Sequence, residues 1–323
     1  MTGQGTDSGG LLNESAWRLA ETIRRDIDDL NGAIRTLDNG AVIVDLGVDV
    51  PGGLEAGLLL ARLCLADRGH VAIHSNPMPS DGWPSIEVST DNPLAACLAS
   101  QYAGWQLSID DYFGMGSGPM RAAAGQEALF EDIGSTESPS VCVGVIESGQ
   151  LPDEAVVAEI SAKTAVAPEH TLLAVAPTAS QAGTVQVVAR SVETAMHKLH
   201  ELDFDVSRIV SGFGRAPLPP VAADDLAGIG RTNDAILYGA IVNLWVTGDD
   251  PSLEEIGPKV PSSASKAHGQ PFLNIFADAG HDFYAIDPHL FSPAVIRFFN
   301  TDTGHVHSFG QIETDILCDS FGI

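Results

Sequence analysis

A guanidinium and a carboxylate with a spacing suited to acid–base chemistry occur in a predicted long helix within residues 178–202. At about 100° per residue, Arg190, Glu193 and His197 share one face of this helix, opposite an apolar stripe that must face the core. If their face lines a cleft, the guanidinium and the carboxylate can position and deprotonate a water. If it faces solvent, they form an ordinary ion pair that stabilises the helix slightly. Both interpretations fit the spacing.

A glycine-rich run, Gly114-Met115-Gly116-Ser117-Gly118-Pro119, is predicted to be a loop. Consecutive glycines let backbone N–H groups approach an anion without a Cβ clash, which suggests a ligand-facing backbone. The run matches neither G-x-x-x-x-G-K-[ST] nor G-x-G-x-x-G, so a plain tight turn is the favoured interpretation. Arg121, shortly after it, either binds an anion or is a solvated helix residue.

A polar cluster, Arg231-Thr232-Asn233-Asp234, is predicted to open a helix whose interior is mostly apolar. Asn233 or Asp234 would explain the cluster by capping the helix N-terminus. A ligand-binding role for the four residues is the other interpretation.

Metal, disulfide and covalent-nucleophile chemistry have no support in the residue spacing. The ten histidines and four cysteines form neither H-E-x-x-H nor C-x-x-C, and no G-x-S-x-G elbow occurs. Cys64, Cys97 and Cys142 lie in apolar runs, where a thiol behaves as a small hydrophobe. His305 and His307 share one face of a predicted strand, an arrangement more typical of hydrogen-bonded histidines than of a metal site. We therefore expect no metal and no cofactor.

The charge balance excludes several classes of partner. The 323 residues include 16 Lys and Arg and 43 Asp and Glu, a formal net charge of −27, which repels nucleic acid and anionic lipid. Residues 1–10 resemble a flexible tail rather than a signal peptide, and the longest apolar run is too short to span a bilayer. We expect a soluble cytoplasmic protein with no nucleic-acid or membrane partner.

The pattern of elements predicts an α/β protein. An amphipathic helix capped by Asn13 or Ser15 is followed by strands at AVIVDLGV, HVAIHS and PSIEVST, with a helix over 54–66 after the first of them. SVCVGVI, TLLAVAP and RIVSGFG then alternate with helices. A further helix is predicted through RTNDAILYGAIVNLWV, and strands are predicted at PFLNIF, HDFYAID, AVIRFFN and HVHSFG. The last strands are expected to complete the sheet that begins at the N-terminus.

This order predicts two α/β domains with a deep cleft between them. Residues 1–95 and 228–323 form one discontinuous domain, and residues 96–227 form an inserted domain. The cleft is the expected active site.

Several short blocks, spread over residues 45–310, match one known family in content and order. They are Asp111–Pro119, Ala182-Gly183, Gln186, Ala189–Thr194, His197-Lys198, Ala216-Pro217, Gly230–Gly239, Gly269 with Pro271-Phe272, Asp287-Pro288, Leu290–Ala294, and Asn300 with Thr303-Gly304. GRTNDAILYG alone is long enough to make chance a poor explanation. On these blocks the chain closely resembles the methenyltetrahydromethanopterin cyclohydrolases of methanogenic archaea, methylotrophic bacteria and some planctomycetes. The first forty or so residues and the acidic excess fall outside the resemblance.

The resemblance implies an activity and an assembly. The family reversibly hydrolyses the N5,N10-methenyl cation of tetrahydromethanopterin to the N5-formyl compound, without metal or nucleotide, as a homotrimer. Glu193 matches the family's proton acceptor, and Arg190 the guanidinium that keeps that carboxylate ionised and oriented. Residues expected to bind the pterin are Gly114, Gly116, Ser117, Gly118, Arg231, Thr232, Asn233 and Asp234. Two alternatives stay open: a pterin-binding protein without turnover, and a cleft enzyme for another heterocyclic substrate.

Overall fold

The computed structural model describes residues 10–76, 79–80 and 82–323 of the chain. The predicted flexible tail therefore lies, up to residue 9, outside the described residues. In chain order the strands are β1 (Ala33–Thr36), β2 (Val42–Asp45), β3 (His70–Asn76), β4 (Trp83–Thr90), β5 (Trp105–Ile109), β6 (Tyr112–Ser117), β7 (Cys142–Glu147), β8 (Thr171–Ala176), β9 (Ile209–Pro217), β10 (Ile241–Val246), β11 (Val295–Asn300) and β12 (Val306–Gly310).

The helices fill the connections between these strands, which confirms the α/β class. The α-helices are α1 (Leu12–Arg25), α2 (Leu54–Cys64), α3 (Met120–Ala124), α4 (Leu129–Ile133), α5 (Glu154–Thr164), α6 (Gln181–Val188), α7 (Ser191–Glu201), α8 (Asp225–Leu237), α9 (Asp250–Ile256), α10 (Phe272–Asp278) and α11 (Thr314–Phe321). Leu94–Gln101 forms a π-helix. Within the described residues, no helix combines the length and the apolar character needed to cross a membrane.

The first sheet has the strand order β1-β2-β8-β7-β6-β5. Its centre is parallel, because β8 pairs in parallel with both β2 and β7, and the outer strands are antiparallel to their neighbours. Every residue of β8 is buried, as expected for a strand covered on both faces. Apolar residues of α1 and α2 pack on one face, and those of α5 on the other.

The second sheet has the strand order β12-β11-β10-β9-β4-β3 and is antiparallel except between β10 and β11. Burial alternates along β10: Val242, Leu244 and Val246 are fully buried, whereas the intervening residues are half-buried. The buried side packs on α7 and α8 in the largest apolar core.

Several predicted elements have the wrong type or limits. IVNLWV is strand β10, not helix, and its burial alternates between successive residues, as the two faces of a strand require. PFLNIF belongs to α10, where Phe272, Ile275 and Phe276 have the i, i+3, i+4 spacing of a helix face. HDFYAID contains only a short 3₁₀ turn, and β1, β5 and β6 have no predicted counterpart. The other predicted strands are present.

The predicted N-cap of the first helix is also wrong. Leu11 occupies that position, and Asn13 lies inside α1 with its side chain fully buried. Its amide donates to the Pro119 carbonyl oxygen (2.7 Å) and accepts from the Val143 N–H (2.8 Å). The polar residue thus connects α1 to the first sheet rather than beginning the helix.

Strand pairing groups the chain differently from the predicted division at 95 and 228. β1 and β2 join the middle third of the chain in the first sheet, whereas β3, β4 and β9 join the C-terminal strands in the second. The C-terminal strands therefore extend a sheet begun by β3 and β4, not by β2. The domain boundaries themselves stay a prediction.

We expect Gly183→Ala to destabilise the fold by about 2 kcal/mol or more, because close packing leaves no room for a side chain. A Cβ on Gly183 would lie 1.9 Å from the Pro177 carbonyl oxygen, at the junction of β8 and α6. Gly53→Ala is the matched control, since its nearest neighbour would be 3.8 Å away and its backbone is extended. Urea unfolding measures both; equal midpoints would contradict the packing argument.

Candidate active site

The predicted long helix of residues 178–202 is interrupted at the site. α6 ends at Val188 and α7 begins at Ser191, and between them the Arg190 N–H bonds to the Val187 carbonyl, three residues back. The apolar stripe is confirmed: Val188, Val192, Ala195 and Leu199 are fully buried, and Leu202 packs against them. The interruption brings Arg190 out of register with the helix and lets its side chain enter the interior.

The Arg190 side chain is only 7% exposed, and its guanidinium is held by groups from four elements. Nε donates to Gln186 Oε1 on α6 (2.8 Å), and one terminal nitrogen donates to the Gln101 carbonyl oxygen at the end of the π-helix. The other terminal nitrogen donates to Ser117 Oγ on β6 (3.0 Å) and to Cys64 Sγ on α2 (3.5 Å). These partners are uncharged in their ordinary protonation states, so they position the cation without neutralising it.

Glu193 lies one turn further on and is 5% exposed. Within the described residues its carboxylate makes no hydrogen bond, and no ion pair shorter than 4 Å joins it to Arg190. Burial raises the pKa of Glu193 to about 7, although the charges of Arg190 and Arg121 act to lower it. The surface ion-pair interpretation is therefore wrong. Arg190 lowers the pKa of Glu193, which is the direction that we expected, but desolvation has the larger effect.

Two stacked rings, Tyr102 and His197, lie in the same region, and the Glu193 charge acts on Tyr102. The Tyr102 and His197 rings are 4.3 Å apart and nearly parallel, and the Arg121 guanidinium carbon lies 4.9 Å from the Tyr102 ring centre. Burial lowers the pKa of His197 to about 4, so His197 is neutral at pH 7. Burial and the Glu193 charge raise the pKa of Tyr102 to about 12, so its hydroxyl keeps its proton.

The glycine-rich run is not a loop, because its first part is strand β6. A Cβ on Gly114 would lie 2.8 Å from Ile146 Cγ2, and one on Gly116 would lie 2.6 Å from Met120 Cε. Gly118 has a positive φ of 86°, and its N–H donates to the Ser100 carbonyl oxygen. These glycines thus serve close packing and one turn, and Ser117 is the residue of the run that contacts Arg190.

The interpretation of Arg121 as a solvated helix residue is wrong, and anion binding stays a prediction. The side chain is fully buried; Nε donates to Glu127 Oε1 (2.9 Å) and a terminal nitrogen to the Leu98 carbonyl oxygen (2.8 Å). A second terminal nitrogen pairs with the other Glu127 oxygen. Arg121 therefore already forms an ion pair with Glu127, and binding of another anion would have to break that pair.

The predicted helix opening at Arg231 is wrong, because α8 begins at Asp225 and is capped by Asp224. The Asp234 carboxylate accepts from the Phe272 N–H (2.7 Å) and Ser320 Oγ (2.6 Å), and burial raises its pKa to about 7. The other three residues donate to nearby carbonyls: Arg231 to Pro220 and Val221, Thr232 to Gly228 and Ile229, and Asn233 to Ile229. No hydrogen bond in the described chain joins these four residues to Arg190 or Glu193.

Sequence reasoning missed a second acidic group near Arg190. Glu147 ends the parallel strand β7, and its carboxylate accepts from Thr178 Oγ1 just beyond the end of the adjacent parallel strand β8. The pKa of Glu147 lies above its usual value because the carboxyl is buried. The hydrogen bond from Thr178 and the charge of Arg190 act to lower it, and the charge of Asp225 acts to raise it. A polar residue at the carboxyl end of a buried parallel strand is a recognisable signal for a site.

The histidine pair is hydrogen-bonded, as expected. His305 Nδ1 lies 2.6 Å from one Asp250 oxygen, and His307 Nε2 lies 3.1 Å from the other. Across residues 10–76, 79–80 and 82–323, no group of three or more His, Cys, Asp or Glu residues is arranged to hold a metal. Independence from metals and cofactors stays a prediction.

The fold is α/β, and the site holds a buried carboxylate, Glu193, whose pKa burial raises to about 7, one helical turn from the buried guanidinium of Arg190. The family model described as "Cyclohydrolase (MCH)" matches residues 11–321, and the chain belongs to that family. This confirms the resemblance seen in the sequence blocks.

Three similar proteins illustrate the relationship; each is named methenyltetrahydromethanopterin cyclohydrolase. One from Rhodopirellula baltica is 48% identical over 289 residues, covering 88% of this chain and 87% of the relative. One from Methylobacillus flagellatus is 43% identical over 90% of this chain and 88% of its own length. One from Methanosarcina barkeri is 43% identical over 97% of this chain and 98% of its own length.

We expect Glu193→Gln to stabilise the protein at pH 8 and to change its stability little at pH 5. Because folding raises the Glu193 pKa from 4.5 to about 7, the stability of the wild type falls as pH rises through that range. Glutamine does not ionise, so the gain at pH 8 reaches about 3 kcal/mol. Urea unfolding at fixed protein concentration measures it, with Glu159→Gln on α5 as an exposed control. An equal effect of Glu193→Gln at both pH values would contradict the assignment.

Proposed function

We propose that this protein hydrolyses N5,N10-methenyltetrahydromethanopterin reversibly to the N5-formyl compound. The observation that carries the proposal is Glu193: a buried carboxylate with a pKa of about 7 and no hydrogen-bond partner in the described chain. Such a group can take a proton from water and return it at neutral pH. The names of the 40–48% identical relatives supply the substrate.

The chemistry needs only the groups that this site contains. The amidinium carbon is electrophilic, so water adds to it while Glu193 accepts one water proton. The resulting hydroxyl-bearing carbon becomes the formyl group as its bond to N10 breaks, and N10 receives a proton from the protonated Glu193. The remaining hydroxyl proton leaves to solvent, so the cation and water give the neutral formyl compound and one proton. Because the carbon needs no further activation, we propose that no metal or nucleotide takes part.

Arg190 has a supporting electrostatic role in this proposal. Its charge lowers the pKa values of both Glu193 and Glu147 and so opposes the effect of burial. Without it, the Glu193 carboxyl would stay protonated at neutral pH and would be a poor base. Its planar set of donors also fixes Ser117 and the end of the π-helix.

Pterin binding by the residues predicted from the sequence is supported unevenly. Ser117 lies in the Arg190 network, which favours a place at the substrate. Binding by Gly114, Gly116 and Gly118, and by the four residues Arg231–Asp234, stays a prediction.

We expect the wild type to clear the absorbance of methenyltetrahydromethanopterin and to act more slowly on the tetrahydrofolate analogue.

Glu193→Gln removes the base and should lower kcat about 10²-fold or more. Arg190→Lys keeps a charge but loses the planar fork, so kcat should fall as well. Glu159→Gln, on the exposed side of α5, is the control and should keep wild-type kcat. Near-normal kcat in Glu193→Gln would overturn the catalytic assignment, and pterin binding without turnover in the wild type would favour a binding protein.

We also propose a homotrimer that uses the open face of the second sheet. On the side opposite α7 and α8, Trp245 and Phe299 stack with ring centres 5.1 Å apart, and Val306 beside them is 53% exposed. Among the paired residues of this face the acidic one is Glu87, which lies 3.9 Å from Arg215. In a chain of net charge −27, such a face lets copies associate without strong repulsion.

Light scattering should give three times the chain mass of 33.8 kDa. Trp245→Glu should dissociate the assembly, because it places a charge at the centre of the apolar face. Phe113→Glu on β6, at a side chain that is 56% exposed in the first sheet, is the control and should leave the mass unchanged. A wild-type monomer at micromolar concentration would refute the trimer.

A further inference from the structure

The π-helix ends at the active site. Leu94–Gln101 makes two wide turns, and the N–H of Tyr102, the residue after it, donates to the carbonyl of Cys97, five residues back. π-turns occur often at functional sites, because the wider turn redirects side chains that an α-helix would point elsewhere. Here the last turn places Gln101 against the break between α6 and α7.

Gln101 is fully buried, and two of its polar groups hold the helix break. Its main-chain carbonyl accepts from Arg190, and its side-chain Nε2 donates to the Ala189 carbonyl oxygen (3.1 Å). Its side-chain oxygen Oε1 is buried and has no hydrogen-bond partner. A buried amide oxygen without a donor is costly, so such a group normally receives a hydrogen bond from an ordered water or a ligand.

The position of this oxygen relates it to Glu193. Gln101 binds the two residues, Ala189 and Arg190, that lead into the first turn of α7, and Glu193 is in that turn. The Glu193 charge raises the pKa values of Tyr102, next to Gln101, and of Cys97, one turn before it. The unpartnered oxygen and the unpartnered carboxylate therefore belong to the same small region.

We propose that Gln101 Oε1 accepts a hydrogen bond from the water that attacks the substrate, which makes Gln101 a second catalytic residue; this rests on the proposed function. One water hydrogen points to Glu193, which takes the proton, and the other points to Gln101. The water lone pair is then directed at the amidinium carbon, to which the new carbon–oxygen bond forms. A neutral acceptor orients the water without adding a second negative charge beside Glu193.

Three variants assayed beside the wild type test this role. Gln101→Met keeps the length of the side chain and removes both the acceptor and the Nε2 donor to Ala189. We expect kcat to fall about tenfold or more with KM within about threefold, because orientation of the water is lost while substrate contacts remain. Gln106→Met, on an exposed position of β5, is the matched control and should behave as the wild type. Urea midpoints of the variants report whether the fold is kept.

Gln101→Glu separates catalysis from structure. A carboxylate at this position lies near Glu193 and disfavours its ionisation, so the acidic limb of kcat/KM should move to higher pH by about half a unit or more. The limb of Gln101→Met should stay at the wild-type pH. Gln101→Glu keeps an acceptor oxygen for the water but, like Gln101→Met, loses the Nε2 donor to Ala189. Its kcat above the limb should therefore exceed that of Gln101→Met, and equal kcat values in the two variants would indicate a purely structural Gln101.

The outcomes distinguish this inference from the function on which it rests. If the wild type hydrolyses the methenyl compound and kcat of Gln101→Met is within about twofold of the wild-type value, the role of Gln101 is overturned and the proposed function stays intact. The same conclusion follows if the acidic limb of kcat/KM does not shift in Gln101→Glu. A wild type that does not hydrolyse the methenyl compound overturns both. If Gln101→Met fails to fold, Gln101→Leu, which also lacks the acceptor, takes its place in the comparison.

Discussion

The buried guanidinium of Arg190 is the constraint on which the arrangement of the site depends. A charge taken out of water needs its donors satisfied, and Gln186, Gln101, Ser117 and Cys64 supply the acceptors from four separate elements. To reach them, the chain leaves the helix between α6 and α7 and ends the π-helix at Gln101. Ser117 is the last residue of strand β6, whose glycines leave room for Ile146 and Met120. One side chain thus ties α2, α6, the π-helix and strand β6 of the first sheet together at the start of α7.

Much of the fold could be predicted from periodicity, because burial is periodic in most elements. The parallel strands β2, β7 and β8 are short apolar runs between turn residues, and the α7 stripe recurs at helical spacing. The errors arise where period and composition disagree. IVNLWV is almost entirely apolar, so its composition also fits a buried helix. The alternation of β10 lies in burial rather than in residue type, and Gly239 is the signal that the preceding helix ends. Strand partners follow from tertiary packing, so the grouping of β2 and β9 could not be predicted from local pattern.

The candidate site was predictable in its residue types but not in its environment. Spacing placed Arg190 and Glu193 on one face, yet burial is a property of what packs over that face. Gln101 has no local signal at all, because its role depends on contacts with residues about ninety positions away. Conversely, Gly114 and Gly116 carry a strong motif-like signal that has a packing cause, since their missing side chains admit Ile146 and Met120.

The separation of Arg190 from Glu193 explains why this site can perform acid–base chemistry. In a direct bidentate pair, the guanidinium would hold the carboxylate ionised well below neutral pH and occupy its oxygens. Here neutral acceptors hold the guanidinium, so its field reaches Glu193 without a bond, and desolvation sets the pKa near 7. The same desolvation destabilises the folded protein when Glu193 is ionised. The chain therefore gives up stability at neutral and alkaline pH to keep a carboxylate that is free to bind a proton and a water.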